Sequence, residues 1–243
     1  FGYDTAVVAG AIGFIQQKYD LSAAMTGWVA SCALVGCMVG AMFAGALSDK
    51  WGRRAVLMIS GIAFAVSSLG IMLPMELTWF IVFRFIGGIG IGIASMLAPM
   101  YISEIAPAAI RGRLISIYQL GIVIGILLIY FVNAAIAGLY DEAWNIDQGW
   151  RWMFGSGIIP SIVFIVLLLI VPESPRWLAQ ENRWNEAEDI LTKVNGQAQA
   201  KVEMVNIRES LSMQQVSFSK LVKPGLRTAL IIGVVLSILS QVT

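Results

Sequence analysis

Apolar residues along this chain come in long blocks separated by short polar segments. They neither alternate nor follow a single helical stripe, so they leave no side fit to face water. A helix crossing hydrocarbon needs about 20 apolar residues. On that measure the pattern predicts a partial first span at Phe1–Gln16, a second at Thr26–Leu47, a third at Ala55–Pro74 and a fourth at Trp79–Ile102. A fifth follows at Leu114–Leu139, a sixth at Trp152–Val171, and a seventh begins near Leu226. Between the sixth and seventh, Pro172–Pro224 is polar but patterned. In RWNEAEDILTKV, apolar Trp184, Ala187, Ile190, Leu191 and Val194 recur at helical spacing opposite Glu186, Asp189 and Lys193. Two or three short amphipathic helices are expected there. The pattern predicts an all-α polytopic membrane protein in three parts: a bundle over 1–171, a cytoplasmic helical insert over 172–224, and the start of a second bundle over 225–243. The opening FGYDTAVVAGAIGFI has no basic leader and the closing ALIIGVVLSILSQVT is too short to span, so both ends read as cut.

Composition agrees with the pattern. Of 243 residues 58% are hydrophobic and 13% charged, against about a quarter charged in soluble domains. Net charge is +1 and no basic patch is interleaved with aromatics, so no nucleic-acid partner is expected. Histidine is absent, so proton chemistry falls to carboxylates. Cys32 and Cys37, five apart in one apolar block, face different sides of a helix. No nucleophile–base set, metal cluster or phosphate loop is present, so neither an enzyme, a bound metal nor a cofactor is expected. Basic residues occupy alternate loops: Lys50, Arg53 and Arg54 after span two, Arg111 and Arg113 after span four, and a larger set including Arg176 after span six. The opposite loops hold only Lys18 and Arg151. The positive-inside rule makes the basic loops cytoplasmic in a multi-pass plasma (cell inner) membrane protein.

Two ionisable residues fall inside apolar spans, Asp4 and Arg84. Either charge alone in hydrocarbon costs about 2.5–3.5 kcal/mol on insertion scales. Their comparable depths make a pair the natural resolution, serving as a static structural contact or as a proton-operated switch. Gly36 with Gly40, Gly88 with Gly92, and Gly121 with Gly125 have the four-residue spacing of close-packed membrane helices. In the loop Gly45–Arg54, Gly52 permits a tight reversal and Asp49 is placed to meet a helix N-terminus or a basic neighbour. Glu104 is expected to reach Arg111 or Arg113, as a latch or as a topology-and-cap residue. Gln119, Ile126 and Asn133 recur every seven residues on one side of span five, facing a cavity or bonding to neighbouring helices. Trp150 and Trp152 read as interfacial belt residues.

Together GALSDKWGRR, the RFIGG…PMYISE…RGR run (Arg84 to Arg113) and PESPRWL (Pro172–Leu178) resemble the signatures of the sugar porter family of the major facilitator superfamily. Within it the chain is most similar to bacterial D-xylose–proton symporters, notably in FGYDTAVVAG and IGIASMLAPMYISEIAPAAIRG. The resemblance implies the N-terminal six-helix bundle of a secondary carrier that takes up a monosaccharide with a proton by alternating access. Its partners would be sugar, protons, the lipid bilayer and a C-terminal bundle of the same protein. A passive sugar facilitator and a sugar sensor on the same fold are the rival readings. The resemblance makes Asp4 the proton site with Arg84 as its partner, and matches Phe1, Gln119 and Gln241 to sugar-pocket residues. It assigns Arg53, Glu104, Arg111, Glu173 and Arg176 to a cytoplasmic charge network that Asp49, Arg54 and Arg113 adjoin. Ile126 and Ser240 depart from the pattern, standing where the xylose carriers have pocket glutamines. Each loses an amide that both donates and accepts hydrogen bonds, so the particular sugar stays open.

Overall fold

A computed structural model describes residues 1–73 and 76–213. The expected seventh span, with Ser240 and Gln241, lies outside the described residues. Among them there are helices and no strands. Six long helical segments, α1 Gly2–Tyr19, α2 Ala23–Trp51, α3 Arg53–Met72, α4 Leu77–Ile105, α5 Arg111–Leu139 and α6 Glu142–Ile170, precede three shorter ones. These are α7 Pro175–Gln180, α8 Trp184–Asn195 and α9 Gln197–Met213. By length and composition, α2 through α6 can each cross a membrane.

Helix ends follow local chemistry. Ser22 Oγ accepts from the Met25 N–H at the start of α2, and Asp20 closes α1 in the left-handed region at φ 48°. Ser174 caps α7, with Pro175 in its first turn. On α8, Ala187 and Leu191 are buried and Glu186 and Lys193 exposed, the amphipathic face expected there, although Val194 stays exposed.

α2 packs most extensively on α4 and α1 on α5, while α3 sits against α4 and α6. The α2–α4 contact is built from the glycine pairs. Gly36 and Gly40 lie against the Phe85 and Ile89 carbonyls, and Gly88 and Gly92 against those of Ala33 and Cys37. A Cβ on Gly88 would overlap the Ala33 carbonyl oxygen. Gly88→Ala is therefore expected to lower stability by about 1–3 kcal/mol. The unfolding midpoint of the purified protein in detergent would report this. Gly125 meets the backbone of Gly2 and Tyr3, but Gly121 has nothing within 4 Å, so that pair is only half a packing contact. Gly121→Ala should leave the midpoint unchanged or slightly higher.

The sixth span begins ten residues before the sequence placed it. Asp141 accepts the Trp144 N–H, a π-helical stretch Asn145–Gly149 follows, and the helix runs on through Trp150–Gly155 and, after a short turn, Ile158–Ile170. Polar Asn145, Asp147 and Gln148 hide this start from any reading of hydropathy. Trp150 is consequently not a belt residue. It is 1% exposed, edge-on to Tyr19 and Phe80 in a core to which all six long helices contribute. Its neighbour Trp152 is 53% exposed. Arg151, expected in a loop, is buried and stacks on Trp150.

Candidate functional site

The first turn of α1 carries Asp4 and α4, about two turns from its start, carries Arg84, and they meet. One guanidinium nitrogen, Nη1, donates to both Asp4 carboxylate oxygens at 3.3 Å and to its main-chain oxygen at 3.4 Å. Arg84 is 1% exposed, and the Asp4 side chain 15%. The contact is long and served from one nitrogen only, unlike a two-nitrogen fork. Arg84 Nε is buried with no hydrogen-bond partner among the described residues. The remaining support is the Phe154 ring, whose centroid lies 5.1 Å from the guanidinium carbon and which is itself edge-on to Phe80. Helix α1 is held on both sides of Asp4. Tyr3 and Ser156 share a hydroxyl hydrogen bond of 2.7 Å to α6, and Asn133 Nδ2 donates to the Val7 carbonyl from α5 at 3.2 Å. Asn133 thus bonds to a neighbouring helix rather than facing a cavity.

A second cluster closes the opposite end of the bundle. Gly52, at φ 90°, turns α2 into α3 and leaves the first N–H groups of α3 open. The Glu173 carboxylate fills that position, accepting from Arg53 N at 3.0 Å, Arg54 N at 3.1 Å and Ser174 N at 2.8 Å. A side chain at residue 52 would strike this carboxylate. Arg53, 2% exposed, forks onto Glu104 through Nε at 3.0 Å and Nη2 at 3.2 Å, and donates from Nη1 to Asp49 at 3.0 Å. Ser174 Oγ donates to Glu104 at 2.6 Å. Arg54 donates to the Leu168 and Leu169 carbonyls at the end of α6, both at 2.8 Å. Trp177 Nε1 reaches the Asp49 carbonyl and the Tyr101 hydroxyl the Pro172 carbonyl.

Glu104 therefore takes Arg53 as its partner, and not Arg111 or Arg113 as the sequence suggested. The α2–α3 loop folds back over the end of α4, a tertiary contact that loop proximity could not reveal. Arg111 instead donates to the Ala106 carbonyl at 3.4 Å and faces Glu203 on α9. Burial pushes the Glu203 carboxyl up, with Arg111 opposing. Arg113 and Arg176 make no ion pair among the described residues. Phe154 joins these sites without a warning in the sequence, since a lone ring in an apolar run is unremarkable, whereas Ser174 and Tyr101 lie within PESPRWL and PMYISE without being singled out there.

The residues matched to sugar contacts do not converge here. Phe1 and Asp4 line an open cavity of ≈ 390 Å³ between α1, α3, α4, α5 and α6. Gln119 is exposed on α5 and Ile126 packs against the Trp150 core, so neither faces that cavity.

Residues 1–243 match the family described as "Sugar (and other) transporter". The chain belongs to this family. It is 48% identical to the arabinose-proton symporter of Bacillus subtilis over 100% of this chain and 52% of that protein. It is 40% identical to the D-xylose-proton symporter of Escherichia coli over 99% of this chain and 54% of that one. The structure of the proton:xylose symporter XylE bound to 6-bromo-6-deoxy-D-glucose superposes with a TM-score of 0.85 at 38% identity. That match covers 91% of this chain and 52% of XylE. The chain thus spans about half the length of the relatives it matches, and has the fold of the N-terminal part of the major facilitator superfamily protein XylE. The sugar transporter family consists of multi-pass membrane transporters, not enzymes.

Proposed function

We propose that this chain is the N-terminal half of a secondary active carrier that moves a monosaccharide, pentose or hexose, inward together with a proton by alternating access. It lies in the plasma membrane with its basic loops in the cytoplasm. Three relatives in the family are a sugar–proton symporter for arabinose, one for xylose and one for galactose by name. The single observation that supports proton coupling here is the carboxylate of Asp4 against the buried Arg84 guanidinium. A carboxylate among apolar helices is tolerated while the cation offsets it. Protonating it removes the attraction, frees Arg84 and changes the balance between two arrangements of the bundle. Asp4 is the proton site and Arg84 its partner. Phe1, Gln119 and Gln241 contact sugar, with Ile126 and Ser240 tuning which sugar fits.

The cluster of Asp49, Arg53, Arg54, Glu104 and Glu173, with Arg111, Arg113 and Arg176 alongside, is the N-terminal half of a cytoplasmic charge network. Arg113 and Arg176, which make no ion pair among the described residues, engage the second bundle while the carrier faces outward. Sugar binds between the two bundles, so residues 1–243 alone neither bind sugar tightly nor transport it.

The test is a competition panel of arabinose, xylose, glucose, galactose and inositol on the full-length carrier in vesicles, with external pH followed on each addition. The expected result is alkalinisation of the medium on adding the sugars that compete. Uptake without any pH change would contradict proton coupling and favour a passive facilitator.

A further inference from the structure

Ser67 on α3 is 1% exposed, and its hydroxyl has no hydrogen-bond partner among the described residues. Other bundle serines behave differently. Ser60, Ser95, Ser103 and Ser161 each donate to the carbonyl three or four residues back on their own helix. The Ser67 hydroxyl is directed away from its backbone into a notch at Gly87, one turn along α4 from Arg84. A Cβ on Gly87 would stand 2.6 Å from Ser67 Oγ and 3.6 Å from Asp4 Oδ2. Hydroxyl and carboxylate thus face the same small gap, open because residue 87 has no side chain.

This gap bears on an unmet requirement of the proposed mechanism. When Asp4 is ionised, Arg84 satisfies it. When Asp4 is protonated, its carboxyl gains an O–H that needs an acceptor, and a guanidinium is a donor only. Water of the open cavity that Asp4 lines can accept it on one side; turned toward Gly87, an O–H with no acceptor carries a desolvation penalty. A serine hydroxyl both donates and accepts. We infer that Ser67 is the positioning residue for neutral Asp4: its Oγ accepts the new O–H of the protonated carboxyl and so sets the pH at which the carrier loads its proton. The proton arrives from water and stays on Asp4; no bond to Ser67 is made or broken beyond the hydrogen bond. The titratable groups facing Asp4 are Arg84 from α4, Tyr3 from α1 and Tyr118 from α5 across the cavity, with Cys32 of α2 within reach of Arg84. From α3, Ser67 faces the Gly87 notch and Phe64 and Ser68 line the cavity.

The inference rests on the reading of Asp4 as the proton site, and the experiment separates the two. Initial uptake of labelled arabinose and labelled xylose is measured against pH in vesicles holding the full-length carrier, as such and as Ser67→Ala, Asp4→Asn and the double variant. An unchanged thermal unfolding midpoint shows that Ser67→Ala folds. Ser67→Ala is expected to move the half-maximal pH downward by about half to one unit, the size that one net hydrogen bond supports. In the Asp4→Asn background it should shift nothing. Superimposable profiles for Ser67→Ala and the unmodified carrier, with Asp4→Asn unable to accumulate sugar, overturn the Ser67 inference alone. The same shift in the Asp4→Asn background also overturns it. Accumulation by Asp4→Asn overturns the proton-site reading and the inference with it.

Discussion

Asp4→Asn in the full-length carrier is expected to abolish uphill accumulation of sugar while counterflow exchange continues. An inward proton gains about 2.3 kcal/mol per 100 mV of membrane potential, which corresponds to roughly 40- to 50-fold concentration of a neutral sugar. Asparagine keeps an oxygen for Arg84 Nη1 but carries no charge to be neutralised, so the variant resembles the protonated state permanently. Its accumulation ratio should fall to about 1, measured as steady-state labelled sugar inside energised vesicles. Asp4→Ala differs, leaving the buried guanidinium with the Phe154 ring and a main-chain oxygen. It should lose thermal stability as well as coupling. If both variants still accumulate sugar, Asp4 is a structural contact.

The second large effect lies at the cytoplasmic end. Glu104→Ala leaves Arg53, 2% exposed, without its fork and Ser174 Oγ without its acceptor. Breaking a buried pair by removing one partner costs on the order of 3–5 kcal/mol, because the remaining charge is uncompensated. For a chain of this size that is a drop of roughly 6–20 °C in unfolding midpoint. Asp49 bonds the same arginine, but its side chain is 64% exposed, so water replaces most of what Asp49→Asn loses and the cost is about 0–1 kcal/mol. Thermal unfolding of the two variants followed by tryptophan fluorescence checks the ordering. Equal losses would mean that burial does not govern this cluster.

The parts of this architecture legible in the sequence were those written in hydropathy and in small residues. Spans two to five were placed to within a few residues because long apolar blocks end at charges. The Gly36, Gly40, Gly88 and Gly92 spacing announced a close helix contact, though not that the two pairs face each other. The start of α6 was hidden because its polar first turns depress the hydropathy that marks a span, and with it went the burial of Trp150 and Arg151. That Asp4 and Arg84 share a neighbourhood followed from the cost of leaving either alone in hydrocarbon. Glu104 pairs with Arg53 and not with the nearer Arg111 or Arg113 because the α2–α3 loop folds back over the end of α4, which proximity in sequence does not display. The Glu173 carboxylate at the N-terminus of α3 has the same origin: PESPRWL was legible as a motif, but its docking site lies 119 and 120 residues away.

The most direct test is to watch the Asp4 carboxyl itself by infrared difference spectroscopy of the purified full-length carrier as the pH is lowered. Every carboxyl contributes a protonated band on acidification; the unmodified protein should show one further component that is missing in Asp4→Asn. A band of equal intensity in both would place the proton on another carboxylate and contradict the assignment of coupling to the Asp4–Arg84 pair.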